Sequence, residues 1–488
     1  MREDLLSVFD GDISMVDDIT TMAIYPLLSG KSYNMLSSWQ AYHHTASSHA
    51  LEPSYITKLT QKIIDGNRMD LSRLRIKRQS PGTYGCIDSA TRSGYIRPTH
   101  IANVRRYGDN KDGIDLPCTS DVVVYSLETH EPVYYRSFPE SQLDMATVRT
   151  ILTELNLFGI CNVVMMTCRG YCSVANIGSF LAEGIPFLTA AKVQQMPVFP
   201  CLSRVEYDKN GLPSNMNYDP ETKLYVLQVG AEPFMVPLPE GRTVKAENVK
   251  VNLYLDVERR AKELNMFKLD IQTEEQKINM IKSGERAMPD TVAFNKEFKW
   301  FIAMKPKKGG HDQAGNPKHT AMPEILEHVK AREKAERIAG FFASVQWGLE
   351  NTAEKSLHDD RLRDEQEKYF YEFKDVYHAD MQDCWTEGSR TGRDFICFVG
   401  LMIYSWVKHV WSTAGLKEDY RSTELLLDSM APIHFSSYPN GITHMENFNN
   451  RQITLCGKFK ITPPSECMTE AQKEDWQRAY PPKGARMT

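Results

Sequence analysis

Three ionisable residues on one stretch carry the first chemical signal. Arg363, Glu367 and Lys374 lie within Lys355–Lys374, a charge-rich run without Gly or Pro that predicts a helix. At about 100° per residue the three fall within an arc of roughly 40°, so one helix face presents cation, carboxylate, cation. A carboxylate so placed suits a hard divalent cation, and its flanking cations suit phosphate. The same spacing also describes a solvated face laced with salt bridges. A second acid, Asp88, follows apolar Cys86 and Ile87 on a predicted strand. There it either caps a turn or holds a metal at a sheet-centred site. Cys168 and Cys172 are spaced C-x3-C, not the redox spacing C-x-x-C. A thiol ending a strand reads as a small buried apolar residue or, alternatively, as a nucleophile.

The elements that must hold these residues are legible in outline. Phe341, Phe342, Val345 and Trp347 predict a buried strand just before the charged helix, which Asn351 or Thr352 can cap. Upstream, Tyr84–Arg92, Val122–Leu127 and Pro132–Phe138 read as strands, the last two joined by E-T-H-E. Asp144–Leu157 then reads as a helix, Val163–Thr167 as a buried strand, Ser173–Glu183 as a helix stopped by Gly184, and Ile185–Ala191 as a strand. This order predicts an α/β domain with a mixed sheet and helices on its faces. It breaks after Lys192. Leu224–Val229, Glu232–Leu238, Lys250–Asp256 and Glu297–Lys305 then predict strands, and Val257–Leu264, Gln272–Gly284 and Met322–Ile338 predict helices. Residues 1–80 read as helical, with a basic segment over Leu71–Gln79 that forms a solvated linker or touches DNA. Lys305–Lys318 reads as a basic surface loop that could meet phosphate. Arg390–Val410 predicts an apolar core helix, and Ser412–Thr488 a tail with one helix and loops.

Composition sets looser bounds. With 488 residues the chain is long enough for two or three domains. Its hydrophobic share of 41% and charged share of 25% are those of a soluble globular protein. Lys+Arg number 58 against Asp+Glu 63, so a strongly basic nucleic-acid binder is excluded, though not a segregated basic surface. Ten cysteines in so long a chain suit a reducing cytosol better than a secreted disulfide scaffold. The start, M-R-E-D-L-L-S-V-F-D, carries no secretory apolar segment, and the apolar run Phe395–Val407 is too short to span a bilayer.

The spacing Arg363-x3-Glu367-x6-Lys374 after a strand resembles the signature of the insertion-sequence-four superfamily of DDE transposases, Tyr-x2-Arg-x3-Glu-x6-Lys. Asp360 stands where that family has Tyr. The text M-T-C-R-G-Y is similar to the family's Asp-Arg-Gly-Tyr, with Arg169, Gly170 and Tyr171 in place and Cys168 where the second catalytic Asp would stand. The likeness covers about Asp88–Lys192 and Gly340–Trp411. It implies an RNase H-like core in two parts, residues 81–192 and 340–411, interrupted by a β-rich insertion at 193–339. A helical region, 1–80, would precede the core and a tail, 412–488, follow it.

The resemblance further implies a catalytic set of Asp88, Glu367 and the residue at 168, with Asp88 and Glu367 holding Mg2+ or Mn2+. Arg363, Lys374 and Arg169 would contact DNA. The partners would be double-stranded DNA, both transposon ends and target, and a second copy of the chain. The setting would be the bacterial cytoplasm, on the nucleoid when bound to DNA, with no membrane. Two-ion phosphoryl chemistry needs hard oxygen ligands on ions about 3.5–4 Å apart. A thiol is soft and a poor Mg2+ ligand. No acidic residue lies between Glu154 and Glu183 to replace the missing carboxylate. Two functions stay open: a metal-dependent transposase with impaired cleavage, and a catalytically inactive DNA-binding protein derived from one. A metal nuclease without strand transfer is the third.

Overall fold

The computed structural model describes every residue except 81, 94–105, 108–116, 140–143, 158–162, 239–240, 305–322, 364–386, 431–434, 438–442, 446 and 480–488. It divides into two compact units. One holds Met1–Tyr171, Ala182–Pro186 and Asp359–Thr488, the other Cys172–Leu181 and Phe187–His358.

The first unit opens with helices α1 (Arg2–Val8), α2 (Ile13–Ser29), α3 (Leu36–Gln40), α4 (Pro53–Lys62) and α5 (Asp65–Lys77). Asp12 caps α2 by accepting from Met15 N at 3.0 Å, and Gly30 in the left-handed region ends it. The basic stretch Leu71–Gln79, expected as a solvated linker or a DNA contact, lies mostly in the second half of α5, which ends at Lys77. Arg75 on it is buried, pairing with Asp4 at 3.1 Å and with Glu131. Leu71 and Ile76 turn the helix inward, and carboxylates distant in sequence accept its cations.

The unit's sheet is mixed. Strand β1 (Tyr84–Ser93) runs antiparallel to β3 (Pro117–Ser126), which also pairs with the short β2 (Arg106–Tyr107) and with β4 (Pro132–Pro139). Helix α6 (Asp144–Leu157) crosses back to β5 (Val164–Thr167), parallel to β1 on its other side. A parallel return needs such a crossover. Asp88 lies inside β1, so it caps no turn there.

The second unit carries α7 (Val174–Ala182), β6 (Phe187–Ala191), α8 (Val198–Cys201), β7 (Asn217–Asp219), β8 (Leu224–Gly230), β9 (Phe234–Pro237), β10 (Thr243–Ala246) and β11 (Lys250–Leu255). There follow α9 (Val257–Ser283), α10 (Thr291–Glu297), β12 (Phe301–Met304), β13 (Glu324–Glu327), α11 (Val329–Ile338) and β14 (Phe341–Trp347). Its sheet has the antiparallel order β6-β14-β11-β8-β7.

Three sequence expectations change in this unit. The two helices expected over 257–284 are one, because neither Gly nor Pro interrupts the run and Phe267 packs edge-on to Trp300 at 4.7 Å. The strand expected from Glu297 starts only at Phe301, since Asp290 caps a helix that absorbs Glu297. The helix expected from Met322 starts at Val329, because residues 324–327 pair with β12 instead. Pairing with a neighbouring strand decided this last case over local propensity.

A buried polar ladder runs through this sheet. Asn252 accepts from Gln228 at 2.8 Å and donates to Ser344 and Gln346 at 3.1 and 3.0 Å. Gln228 and Gln346 both donate to the Asn351 carbonyl, and Tyr254 donates to that of Ala353. The ladder thereby fixes the entry to helix α12, described over 353–363. Thr352 Oγ1 accepts from Lys355 N at 3.3 Å, which makes it the cap.

The chain then completes the first unit with α13 (Glu387–Thr413), α14 (Thr423–Met430), β15 (Phe435–Ser437), β16 (Thr443–Met445), α15 (Asn450–Lys458) and α16 (Glu470–Ala479). The tail is thus more helical than expected. Asn449 and Gln452 form a capping box, and Phe448, Cys456 and Cys467 share a small core. Helix α13 is longer than its apolar run suggested. Among the described residues it alone is long and apolar enough to cross a membrane, yet 67% of its apolar window is buried within the fold, as in a core helix. Phe395 meets Phe9 at 5.6 Å and Phe398 meets Tyr135 at 4.5 Å.

Gly392 on α13 lies against α4 so closely that a Cβ there would stand 2.0 Å from the Thr60 carbonyl oxygen. A backbone atom cannot swing aside. Gly392→Ala is therefore expected to destabilise the protein by roughly 3 kcal/mol, the upper range for overpacking, measured by urea unfolding.

Candidate active site

The first unit's sheet brings the strands leading to two of the expected residues into register. In the parallel pair β1–β5, Ile87 lies opposite Thr167. Position 88 continues along β1, whereas β5 ends at Thr167 and Cys168 follows just past the paired register. The pairing places Cys86 of β1 and Met166 of β5 on one face. Cys86 Sγ meets Met166 Sδ at 3.9 Å on that face. The strand ends here because Arg169 and Gly170 form an exposed turn, closed by Tyr171 N donating to Cys168 O at 3.0 Å. Cys168 is half-buried, and Arg169 is exposed beside it.

Helix α12 delivers Arg363 to the same face. Burial pushes the Cys86 thiol far above its ordinary pKa. The Arg363 guanidinium opposes that shift, and the carboxylates of Glu128, Asp360 and Asp359 reinforce it. Arg363 is 5% exposed, and its Nε donates to Asp360 Oδ1 at 3.0 Å. The acid standing at the Tyr position of the expected motif thus engages the arginine one turn later. This geometry diverts part of a phosphate-binding fork onto a carboxylate. Glu367 and Lys374 lie outside the described residues, as does the Lys305–Lys318 loop.

Sequence reading missed two further acids on this face. Asp121 on β3 lies opposite Ala90, two positions from Val123, the partner of Asp88. Asp121 is buried and accepts from Ser137 Oγ at 2.5 Å. The same hydroxyl stands 3.4 Å from Oδ2 of Asp394, a buried acid of α13. The available signal was one acid set into the apolar alternation of strand β3. Among the described residues no three His, Cys, Asp or Glu side chains group as metal ligands.

No protein-family model matches the chain, and no curated protein matches it. Among solved structures it is similar to a piggyBac transposase in a synaptic complex with hairpin DNA. The TM-score is 0.38 and the identity 8%, over 100% of this chain and 78% of that one.

Proposed function

We propose that the chain is a transposase-type DNA-binding protein whose strand-cleaving centre lacks one carboxylate. The observation that supports this reading is the parallel pairing of β1 and β5 up to Ile87 and Thr167, the residues that directly precede Asp88 and Cys168 in sequence, with Arg363 near enough to act on the Cys86 thiol. The order of the first unit's strands, three antiparallel and one returning parallel beside the first, supports an RNase H-like core. On this reading the strand-rich stretch 193–339 is the insertion, and the partner is double-stranded DNA, bound by two copies of the chain. The setting is the bacterial cytoplasm.

Asp88 and Glu367 would hold Mg2+ or Mn2+, which supplies Lewis-acid stabilisation of a phosphoryl group when bound. The residues present do not complete that site. Cys168 offers no hard oxygen, and Asp360 is committed to Arg363. What the chain's own groups retain is anion binding: Arg169 exposed at the strand end, Arg363 over the sheet, and Lys374 on the same helical stretch by sequence. The rival reading, an active transposase, is favoured by the retention of Asp88, Arg363, Glu367 and Lys374.

Duplex DNA, of random sequence and carrying any inverted repeats found to flank the coding region, distinguishes the two. Binding that weakens with salt, without nicking in Mg2+ or Mn2+, is the expected result. Absence of binding overturns the reading, and cleavage by the unmodified chain replaces it with the rival.

A further inference from the structure

On the second unit, cations gather around two aromatic rings. Lys330, Lys334 and Arg337 recur at four and three residues along α11, within an arc of roughly 60°. Lys334 Nζ lies 5.5 Å from the Phe199 ring centroid, and Arg337 Cζ lies 5.1 Å from the same centroid. Arg260, in the first turns of α9, has its Cζ 5.5 Å from the Tyr207 centroid and donates Nη1 to the Ala339 carbonyl at 2.8 Å. Burial raises the pKa of the Tyr207 hydroxyl, and the charges of Arg260 and Arg337 both act against that rise. The two rings and three cations therefore form one cluster.

Carboxylates neutralise the cations around it but not those in it. Arg204 pairs with Glu232, Arg259 with Glu263 and Arg332 with Glu327. Among the described residues, Arg260, Lys334 and Arg337 form no ion pair. Glu333 borders the stripe on α11, and Glu336 falls on another side of that helix. Lys330 and Lys334 are exposed, and so is Tyr207 at 41%.

We infer that Phe199, Tyr207, Arg260, Lys334 and Arg337 form a contact surface for the phosphodiester backbone of duplex DNA. The surface rests on the DNA reading above for the class of partner, while its geometry stands apart from residues 88, 168 and 363. A cation already held over a ring gives up little freedom when it meets a phosphate. Arg260 spends one of its five donors on a carbonyl and keeps the rest. Duplex DNA, with one charge per about 1.7 Å of axis, gains more from unneutralised cations than a sparser polyanion does, through counterion release. The aromatic side chains add contact area without reading base edges, so the surface binds without sequence preference.

The salt dependence of binding to a random-sequence duplex, followed by fluorescence anisotropy, tests this. The variant Arg260→Gln/Lys334→Gln/Arg337→Gln is expected to lower the magnitude of the log–log slope by about 2–3, near 0.9 for each phosphate it no longer neutralises, and to weaken binding at least about 10-fold at moderate salt. Arg259→Gln, which removes a neutralised neighbour, leaves the slope in place. If the triple variant does not fold, exposed Lys334→Gln alone carries a slope change of about 1. An unchanged slope in folded variants overturns the surface while the DNA reading stands. Absence of duplex binding by the unmodified chain overturns both. Competition by polyglutamate at equal charge, as strong as by DNA, overturns the assignment to a phosphodiester partner.

Discussion

Cys168→Asp is expected to raise Mg2+- or Mn2+-dependent cleavage of duplex DNA at least about 100-fold above the unmodified chain, since losing even an outer-shell partner of a metal costs up to that factor. The backbone is ready for the exchange. Position 168 follows Thr167 directly, one step beyond the pair Ile87–Thr167, as Asp88 follows Ile87 in sequence. The side chain is half-buried and the turn after it is closed by backbone atoms, so Asp enters without disturbing the strand end. The chemistry differs by one donor: a hard oxygen replaces a soft sulfur. Plasmid nicking with each ion, the unmodified chain beside the variant, checks it. Equal activity in both would show that the thiol is tolerated and the missing carboxylate immaterial. Silence in both, with DNA binding kept, would move the block to Asp360. Its hold on Arg363 is then the next interaction to release, by Asp360→Tyr.

Local pattern made much of the first unit legible. Helix α6 spans the stretch Asp144–Leu157 that its apolar spacing indicated, and the buried strand before Cys168 was visible as four apolar-flanked residues in a row. Non-local pairing hid the rest. Arg75 looks like a linker cation until Asp4 and Glu131 are brought to it. Residues 324–327 look helical until β12 lies alongside. The polar ladder from Gln228 to Gln346 was invisible because each member reads as an ordinary polar residue on a strand. Only the sheet stacks Asn252, Ser344 and Gln346 where every bond is satisfied. The candidate site divides in the same way. Asp88 and Cys168 follow from motif and strand order, whereas the Arg363–Asp360 pair follows from helix geometry and the Asp121–Ser137–Asp394 group from tertiary packing.

Glu154→Leu is expected to cost about 3–5 kcal/mol of stability, the range for removing one partner from a buried ionic network. Glu154 lies on α6 with its side chain 10% exposed. It accepts from Arg68 at 3.2 Å and from the Tyr134 hydroxyl at 2.7 Å, and it pairs with Arg136. Leucine fills a similar volume, so the loss is electrostatic. Tyr134 is fully buried, and burial pushes its hydroxyl up to about 12 despite the nearby charges of Arg68 and Arg136. Without Glu154 that hydroxyl keeps its proton and loses its acceptor, a cost of about 1–3 kcal/mol by itself. Arg68 is almost as buried and would depend on Asp65, whose own side chain is 61% exposed and whose attraction water screens. Arg136 has a way out, being one-third exposed, and contributes least. The effect reaches the site through strand pairing: Tyr134 and Arg136 belong to β4, which pairs with β3, which in turn lies along β1 beside Asp88. Urea unfolding of the variant measures the loss. A change below about 1 kcal/mol would mean that Arg68 and Tyr134 find water on that side of the sheet, and that hydrophobic packing of α6 alone holds β3 and β4 in place.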